Sequence, residues 1–254
     1  MTAGVGPALV TGGAGYVGAG ICLGLAKDGR SVGVADIDGG RAEEVARDLR
    51  ARGFSAVGIA LDVTDEVSTL NAVERVRSEW GALDTLVNAA GIYRPGRIED
   101  VKISDWRDVI ETNIIGSFLC SRAAVPLLRA NGGGSIINVS SVSAFAASDG
   151  GSAYTTSKGA LLSFTYALSG ELAPDNIRVV AVCPGWVDGG FTQQVLDAAE
   201  DPEVIREQAK ASHLLGRMAT PLDLANSISF LASDKASFIT GTALYVDGGF
   251  MVRR

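Results

Sequence analysis

Short, wholly apolar runs alternate with amphipathic stretches that end in glycine, and this alternation leaves few folds open. Ala8-Leu9-Val10-Thr11 is the first such run, and a helical stretch carrying Ile21, Leu23, Leu25 and Ala26 follows and closes at Gly29. Ser31 to Asp36 is the next run, short and apolar enough to be a strand buried on both faces. The unit repeats: a helix over 40–52 closed by Gly53, a strand near 55–61, a helix after Thr64 closed by Gly81, and a strand near 83–88. Each of these glycines lies where a left-handed residue ends a helix. Doubly buried strands alternating with helices imply a parallel sheet with right-handed crossovers, an α/β sandwich of three layers.

The second half continues the pattern with longer pieces. Ser104 is the expected N-cap of one helix running to about Arg129. A strand at 135–141, a loop at 142–151, a helix at 152–172 and a strand at 177–182 that stops at Pro184-Gly185 come next. Residues 186–219 are the least regular, with one helix expected near 202–211. Thr220-Pro221-Leu222-Asp223 combines an N-cap, a proline at the first helical position and an acid at the third, so a helix to about Ser233 is expected, then a strand at 242–246. No repeat, low-complexity tract or linker divides the chain, and residues 1–254 are read as one domain.

Composition narrows the function. The formal net charge is −7, so no basic footprint for nucleic acid or an anionic membrane is present. No apolar stretch reaches membrane-spanning length, and the first residues lack the cationic region of a secretory leader. Cys22, Cys120 and Cys183 are widely spaced, outside any CxxC. They fit core positions in a reducing cytoplasm better than a disulfide framework or a metal site.

Gly13-Ala14-Gly15-Tyr16-Val17-Gly18 fits GxGxxG and lies directly between the first strand and the first helix. Such a turn lets backbone approach a pyrophosphate at a helix N-terminus. Asp36 ends the second strand 18 residues after the last glycine, where a carboxylate accepts both hydroxyls of an adenosine ribose and repels a 2′-phosphate. No Lys or Arg stands at Ala14, Ile37 or beside them, so NAD is expected over NADP. Asp38 is read as the cap of the following helix. Further on, Tyr154 and Lys158 are four residues apart, on one helix face. An ammonium beside a phenol, together with the positive charge of an oxidised nicotinamide, favours the phenolate and lowers its ordinary pKa of about 10.

These residues, with Asp62-Val63, Asn88-Ala89-Ala90-Gly91, Asn113, Ser141, YTTSK at 154–158, PG at 184–185 and VDGG at 246–249, resemble the short-chain dehydrogenase/reductase family from about Ala8 to Gly249. The resemblance implies a Rossmann-like sandwich of seven parallel strands, assembled as a homodimer or homotetramer. It implies a cofactor site of Gly12, Gly15, Tyr16, Val17, Gly18, Asp36, Ile37, Asp62, Val63, Asn88 to Gly91, Tyr154, Lys158, Pro184, Gly185 and Val187, with Asp62 and Val63 at the adenine and Val187 at the nicotinamide amide. Ser141, 13 residues before Tyr154, is selected over Ser140. By the same resemblance Tyr154 is the acid/base, Ser141 holds the substrate oxygen, Lys158 also holds the nicotinamide ribose, and Asn113 positions a water that relays the proton outward. Two departures stand out. Tyr16 occupies a glycine position of the short members, giving TGxxGxxG as in the longer epimerase-like branch, and Gly189 replaces a frequent threonine, which makes Thr192 the expected partner of the carboxamide.

The implied activity is NAD-dependent interconversion of a secondary alcohol and a ketone. A 3-oxoacyl carrier-protein reductase is the alternative, against which Asp36 counts. A non-catalytic nucleotide sensor or scaffold and an epimerase are the remaining readings, the first opposed by the intact Asn, Ser, Tyr and Lys. Ser143 and Trp186, with Tyr93, Phe145 and His213, are the expected substrate contacts, and Arg94 and Arg97 are candidate anion contacts. His213, the sole histidine, is expected to line or cap the 186–219 segment and not to act as acid or base.

Overall fold

A computed structural model describes residues 5–146 and 150–253. Seven strands, β1 (Ala8–Thr11), β2 (Val32–Asp36), β3 (Ala56–Ala60), β4 (Thr85–Asn88), β5 (Gly134–Val139), β6 (Ile177–Pro184) and β7 (Thr242–Val246), form one sheet in the order β3-β2-β1-β4-β5-β6-β7. Every pairing is parallel. The helices are α1 (Tyr16–Lys27), α2 (Gly39–Ala51), α3 (Glu66–Trp80), α4 (Ile103–Ile110), α5 (Gly116–Ala130), α6 (Ser152–Leu172), α7 (Phe191–Asp197), α8 (Pro202–Ala211) and α9 (Pro221–Ala232).

The period of two along each strand builds the layers. Val10, Val34, Val87, Ile137 and Val180 pack with Ile21, Leu25, Leu49 and Ile228 from α1, α2 and α9. Their neighbours Leu9, Ala35, Leu86, Ile136 and Val179 face Val73, Val76, Leu128 and Leu168 from α3, α5 and α6. Both faces are thus covered over the central strands, which is why these read as continuous apolar runs, whereas the edge strand β7 leaves Leu244 and Tyr245 exposed. The free thiols of Cys22, Cys120 and Cys183 are buried in these layers, and burial raises all three pKa values, Cys120 to about 12 and Cys183 to about 11.

The strand order reverses between β1 and β4, and the crevice outside the carboxyl ends of these strands is where such folds bind ligands. Gly29, Gly53 and Gly81 have positive φ, as expected of helix stops. Thr220 and Asp223 form a complete capping box on α9.

Three expectations need correction. The helix expected over 104–129 begins at Ile103, with Lys102 and not Ser104 at its cap, and a π-turn at Glu111–Ile115 divides it into α4 and α5. The extra residue per turn places Asn113 at the back of the crevice, and π-turns concentrate at functional sites. Segment 186–219 carries two helices, not one, because Gly190 at φ 60° turns the chain into the short α7. Part of the loop expected at 142–151 lies outside the described residues; of the rest, Val142–Ala144 forms a 3-10 turn.

Candidate active site

The strand ends converge on one cleft. Its lining includes Gly12, Gly15, Tyr16, Val17 and Gly18 after β1, Asp36 and Ile37 after β2, and Asp62 and Val63 after β3. Ala89, Ala90 and Gly91 after β4, Ser141 and Ser143 after β5, Pro184, Gly185, Trp186 and Val187 after β6, and Tyr154 and Lys158 of α6 complete it.

The turn after β1 fits a dinucleotide. Gly12 has φ 65°, and a Cβ there would lie 2.8 Å from the Ala90 backbone. A Cβ on Gly18 would lie 2.0 Å from the Gly12 carbonyl oxygen, so only glycine lets α1 start this close to the strand. Asp36 is tied to the same turn: its Oδ2 accepts the Ala14 N–H at 3.0 Å and its Oδ1 the Asp38 N–H at 3.2 Å. Lone pairs remain on both oxygens for ribose hydroxyls. Asp38 caps α2 by accepting the Arg41 N–H at 3.0 Å. Among the described residues the cations lining the cleft are Arg94 and Lys158, and none of these stands at the Asp36 end.

At the other end, Tyr154 is half-buried and Lys158 is buried. The Lys158 Nζ donates to the Val139 carbonyl at 2.8 Å and lies 5.5 Å from the centre of the Tyr154 ring. The Ser141 hydroxyl accepts the Ser143 N–H at 3.1 Å and lines the same cleft as the phenol. Burial pushes Tyr154 up to about 12, opposed by the Ser141 hydroxyl, and pushes Lys158 down to about 8. Lys158 therefore does not offset burial of the phenol in the ligand-free protein; the expectation joined the lysine to an oxidised nicotinamide. In the ligand-free protein, loss of water disfavours both charged forms, and a further positive charge is needed before the phenolate forms near neutrality.

Five of the residues singled out from the sequence, Asn88, Asn113, Phe145, Arg97 and His213, do not line the cleft. The Asn88 side chain lies beneath it and donates to Asn138 at 2.8 Å and Ser121 at 3.1 Å, bracing β4 against β5 and α5. Asn113 is fully buried; its amide accepts the Ile92 N–H at 2.8 Å and donates to the Ile92 carbonyl at 3.1 Å and to Ser157 at 3.0 Å. Asn113 thereby fixes the turn after β4 against α6. Phe145 turns away to stack on Tyr245 of β7 at 5.2 Å, and Arg97 pairs with Glu99 in solvent. His213 is buried, with Nδ1 on the Ala209 carbonyl at 2.7 Å and Nε2 accepting the Trp186 N–H at 3.1 Å. These two bonds make His213 a latch under the Gly185-Trp186 turn.

Sequence reasoning missed Phe191. Its ring stands edge-on to Tyr154 at 6.1 Å, as Tyr93 does at 5.3 Å from its own side. The only signal was the glycine pair before it. Thr192 follows, buried at 7% exposure and lining the cleft. Among the described residues no group of three or more His, Cys, Asp or Glu could hold a metal ion, and no helix is long and apolar enough to cross a membrane.

The fold is that of a Rossmann-like α/β protein with a cleft at the carboxyl ends of its strands, and comparison with known proteins gives the family. A family profile described as "Enoyl-(Acyl carrier protein) reductase" matches residues 13–251. The cyclopentanol dehydrogenase of Comamonas sp. (strain NCIMB 9872) is 38% identical over 242 residues, covering 95% of each chain. The 3-oxoacyl-[acyl-carrier-protein] reductase FabG of Staphylococcus aureus (strain Mu50 / ATCC 700699) is 37% identical, covering 95% of this chain and 96% of its own. A crystal structure titled gox2181 superposes with a TM-score of 0.91 at 32% identity, covering 97% of this chain and 95% of that one. The chain belongs to the short-chain dehydrogenase/reductase family, whose members generally use NAD(P). It is an oxidoreductase acting on CH–OH groups.

Proposed function

We propose that residues 1–254 form one catalytic domain that oxidises a small alicyclic secondary alcohol to its ketone with NAD, and runs the reverse reaction with NADH. The observation that carries this reading is a cleft with Asp36 holding the glycine turn at one end and Ser141 and Tyr154, backed by buried Lys158, at the other.

A bound oxidised dinucleotide supplies a hydride acceptor for the substrate carbon and a positive charge that favours the phenolate. Tyr154 takes the proton of the substrate hydroxyl and returns it in the reverse direction. Ser141 donates to the substrate oxygen and stabilises the charge that develops on it. Lys158, fixed by the Val139 carbonyl, keeps its ammonium beside the phenol and would hold the nicotinamide ribose. Asn113 acts by position, through Ile92 and Ser157. Both of its amide N–H groups are already committed, so a relay water would depend on its oxygens.

The choice of NAD rests on Asp36 and on the lack of a cation at that end of the cleft. The substrate class rests on the aromatic walls: Tyr93 and Phe191 stand edge-on to Tyr154 and Trp186 lines the cleft, which suits a flat or puckered apolar ring carrying one hydroxyl. The similarity to a cyclopentanol dehydrogenase supports the same class. Exposed Phe118 on α5 and Tyr166 on α6 support a homo-oligomer, dimer or tetramer, which light scattering on the eluting protein would measure. We place the protein in the cytoplasm on the strength of its three free, buried thiols.

The test is a panel of cyclic and open-chain secondary alcohols with NAD and NADP in parallel, read by absorbance of the reduced nicotinamide. Turnover of cyclic alcohols with NAD is expected. Preference for NADP, or for 3-oxoacyl thioesters, would reverse the respective assignment.

A further inference from the structure

The two departures from the family pattern, Tyr16 and Gly189, meet in space. A Cβ built on Gly189 would lie 2.5, 2.7 and 2.8 Å from three ring atoms of Tyr16, and φ at Gly189 is 112°, where side chains are rarely found. The Tyr16 ring therefore occupies the place that the side chain of residue 189 would take. Tyr16 belongs to the glycine turn on one bank of the cleft, and Gly189 and Gly190 belong to the opposite bank.

We propose that Tyr16 is a strap seated on Gly189 that closes over the pyrophosphate stretch of the bound dinucleotide, and that this matched pair sets how fast the cofactor leaves. The inference rests on the dinucleotide reading of the cleft. Tyr16 is the first residue of α1, the helix end whose free N–H groups attract phosphate. Its ring is 52% exposed in the ligand-free protein, apolar surface that a cofactor beneath it would cover.

The seat opposite is held from behind. Val187 bridges to Ala219, the Asp188 N–H donates to the Ala219 carbonyl at 2.9 Å, and the Ala219 N–H donates to Trp186 at 2.8 Å. Arg206 pairs with Asp188 at 2.7 Å. One residue past Gly190 the same chain places Phe191 against Tyr154. A dinucleotide therefore cannot leave sideways without the ring lifting off Gly189, whereas the loop itself is tied down.

The experiment is a double-mutant cycle on the full chain, with NADH release followed by stopped-flow fluorescence for wild type, Tyr16→Gly, Gly189→Ala and the double variant. Backbone strain at residue 189 is common to both arms and cancels in the cycle. Tyr16→Gly and Gly189→Ala should each release NADH about tenfold faster, the first by removing the strap and the second by displacing it. The double variant should be no more than about twofold faster than either single one, and Tyr16→Phe, which keeps the ring, should release within about twofold of wild type. Wild-type release from Tyr16→Gly, multiplicative effects in the double variant, or Tyr16→Phe behaving as Tyr16→Gly would overturn the proposal. Thermal midpoints without cofactor identify a variant that fails to fold. If Gly189→Ala does, Tyr16→Gly, which leaves the loop intact, decides alone. If wild type binds neither NADH nor NADPH, it is the cofactor reading that fails, not the strap.

Discussion

Replacing Lys158 with methionine should stabilise the ligand-free protein while destroying its activity. The ammonium is 4% exposed, and burial moves its pKa from an ordinary 10.5 down to about 8. At pH 7 that displacement corresponds to about 3 kcal/mol of penalty for keeping the charge. Methionine removes the penalty at similar volume but leaves the Val139 carbonyl without its 2.8 Å donor, which costs about 1–2 kcal/mol. A net gain of about 1–2 kcal/mol remains, and for a chain of this size that raises Tm by about 2–8 °C. The sign with pH follows from the direction of the shift. Between about 8 and 10.5 the unfolded chain binds the proton that the folded one has released, so wild-type stability from this group rises with pH across that window. The advantage of Lys158→Met should therefore be full at pH 7 and shrink or reverse by pH 10. Thermal unfolding of both proteins at the two pH values measures it, and titrations shared by the two cancel in the difference. A variant less stable than wild type by the same amount at both pH values would refute the reasoning.

Two further outcomes test other parts of the site. Asp36→Ala removes a charged acceptor of the Ala14 N–H and of the ribose hydroxyls, so Kd for NADH should rise roughly tenfold to a hundredfold while Kd for NADPH rises less or falls; titration by fluorescence with both dinucleotides reads this, and an unchanged ratio would count against the role given to Asp36. His213→Leu unlatches the Gly185-Trp186 turn and leaves the Trp186 N–H unpaired, while the Ala209 carbonyl keeps the Ser212 hydroxyl, lowering Tm by about 2–12 °C, with the limbs of the kcat–pH profile unmoved; loss of a limb would show His213 to be an acid or base.

The strands, the glycine stops and the α9 capping box were legible because each is a local rule: period two, a positive φ, a hydroxyl followed by an acid. So was the set Ser141, Tyr154 and Lys158, whose spacing already places two of them on one helix face. What escaped the sequence depends on contacts between distant segments. Nothing in Glu111-Thr112-Asn113-Ile114-Ile115 marks a π-turn, since the contacts of Asn113 are with Ile92, 21 positions earlier, and Ser157, 44 positions later. Burial decided the pKa directions, and the Tyr-Lys spacing carries no information about burial. Tyr16 and Gly189 were visible singly as oddities; that one makes room for the other is a fact of the folded cleft.

On the proposed mechanism Tyr154 moves the substrate proton in a site that binds its dinucleotide independently of that proton. Tyr154→Phe keeps the ring between Tyr93 and Phe191 and removes only the hydroxyl, so the most direct measurement pairs kcat with NADH affinity in this variant. In this variant kcat should fall by a factor of about 100 or more, with Kd for NADH within about twofold of wild type. Undiminished turnover with intact binding would contradict it.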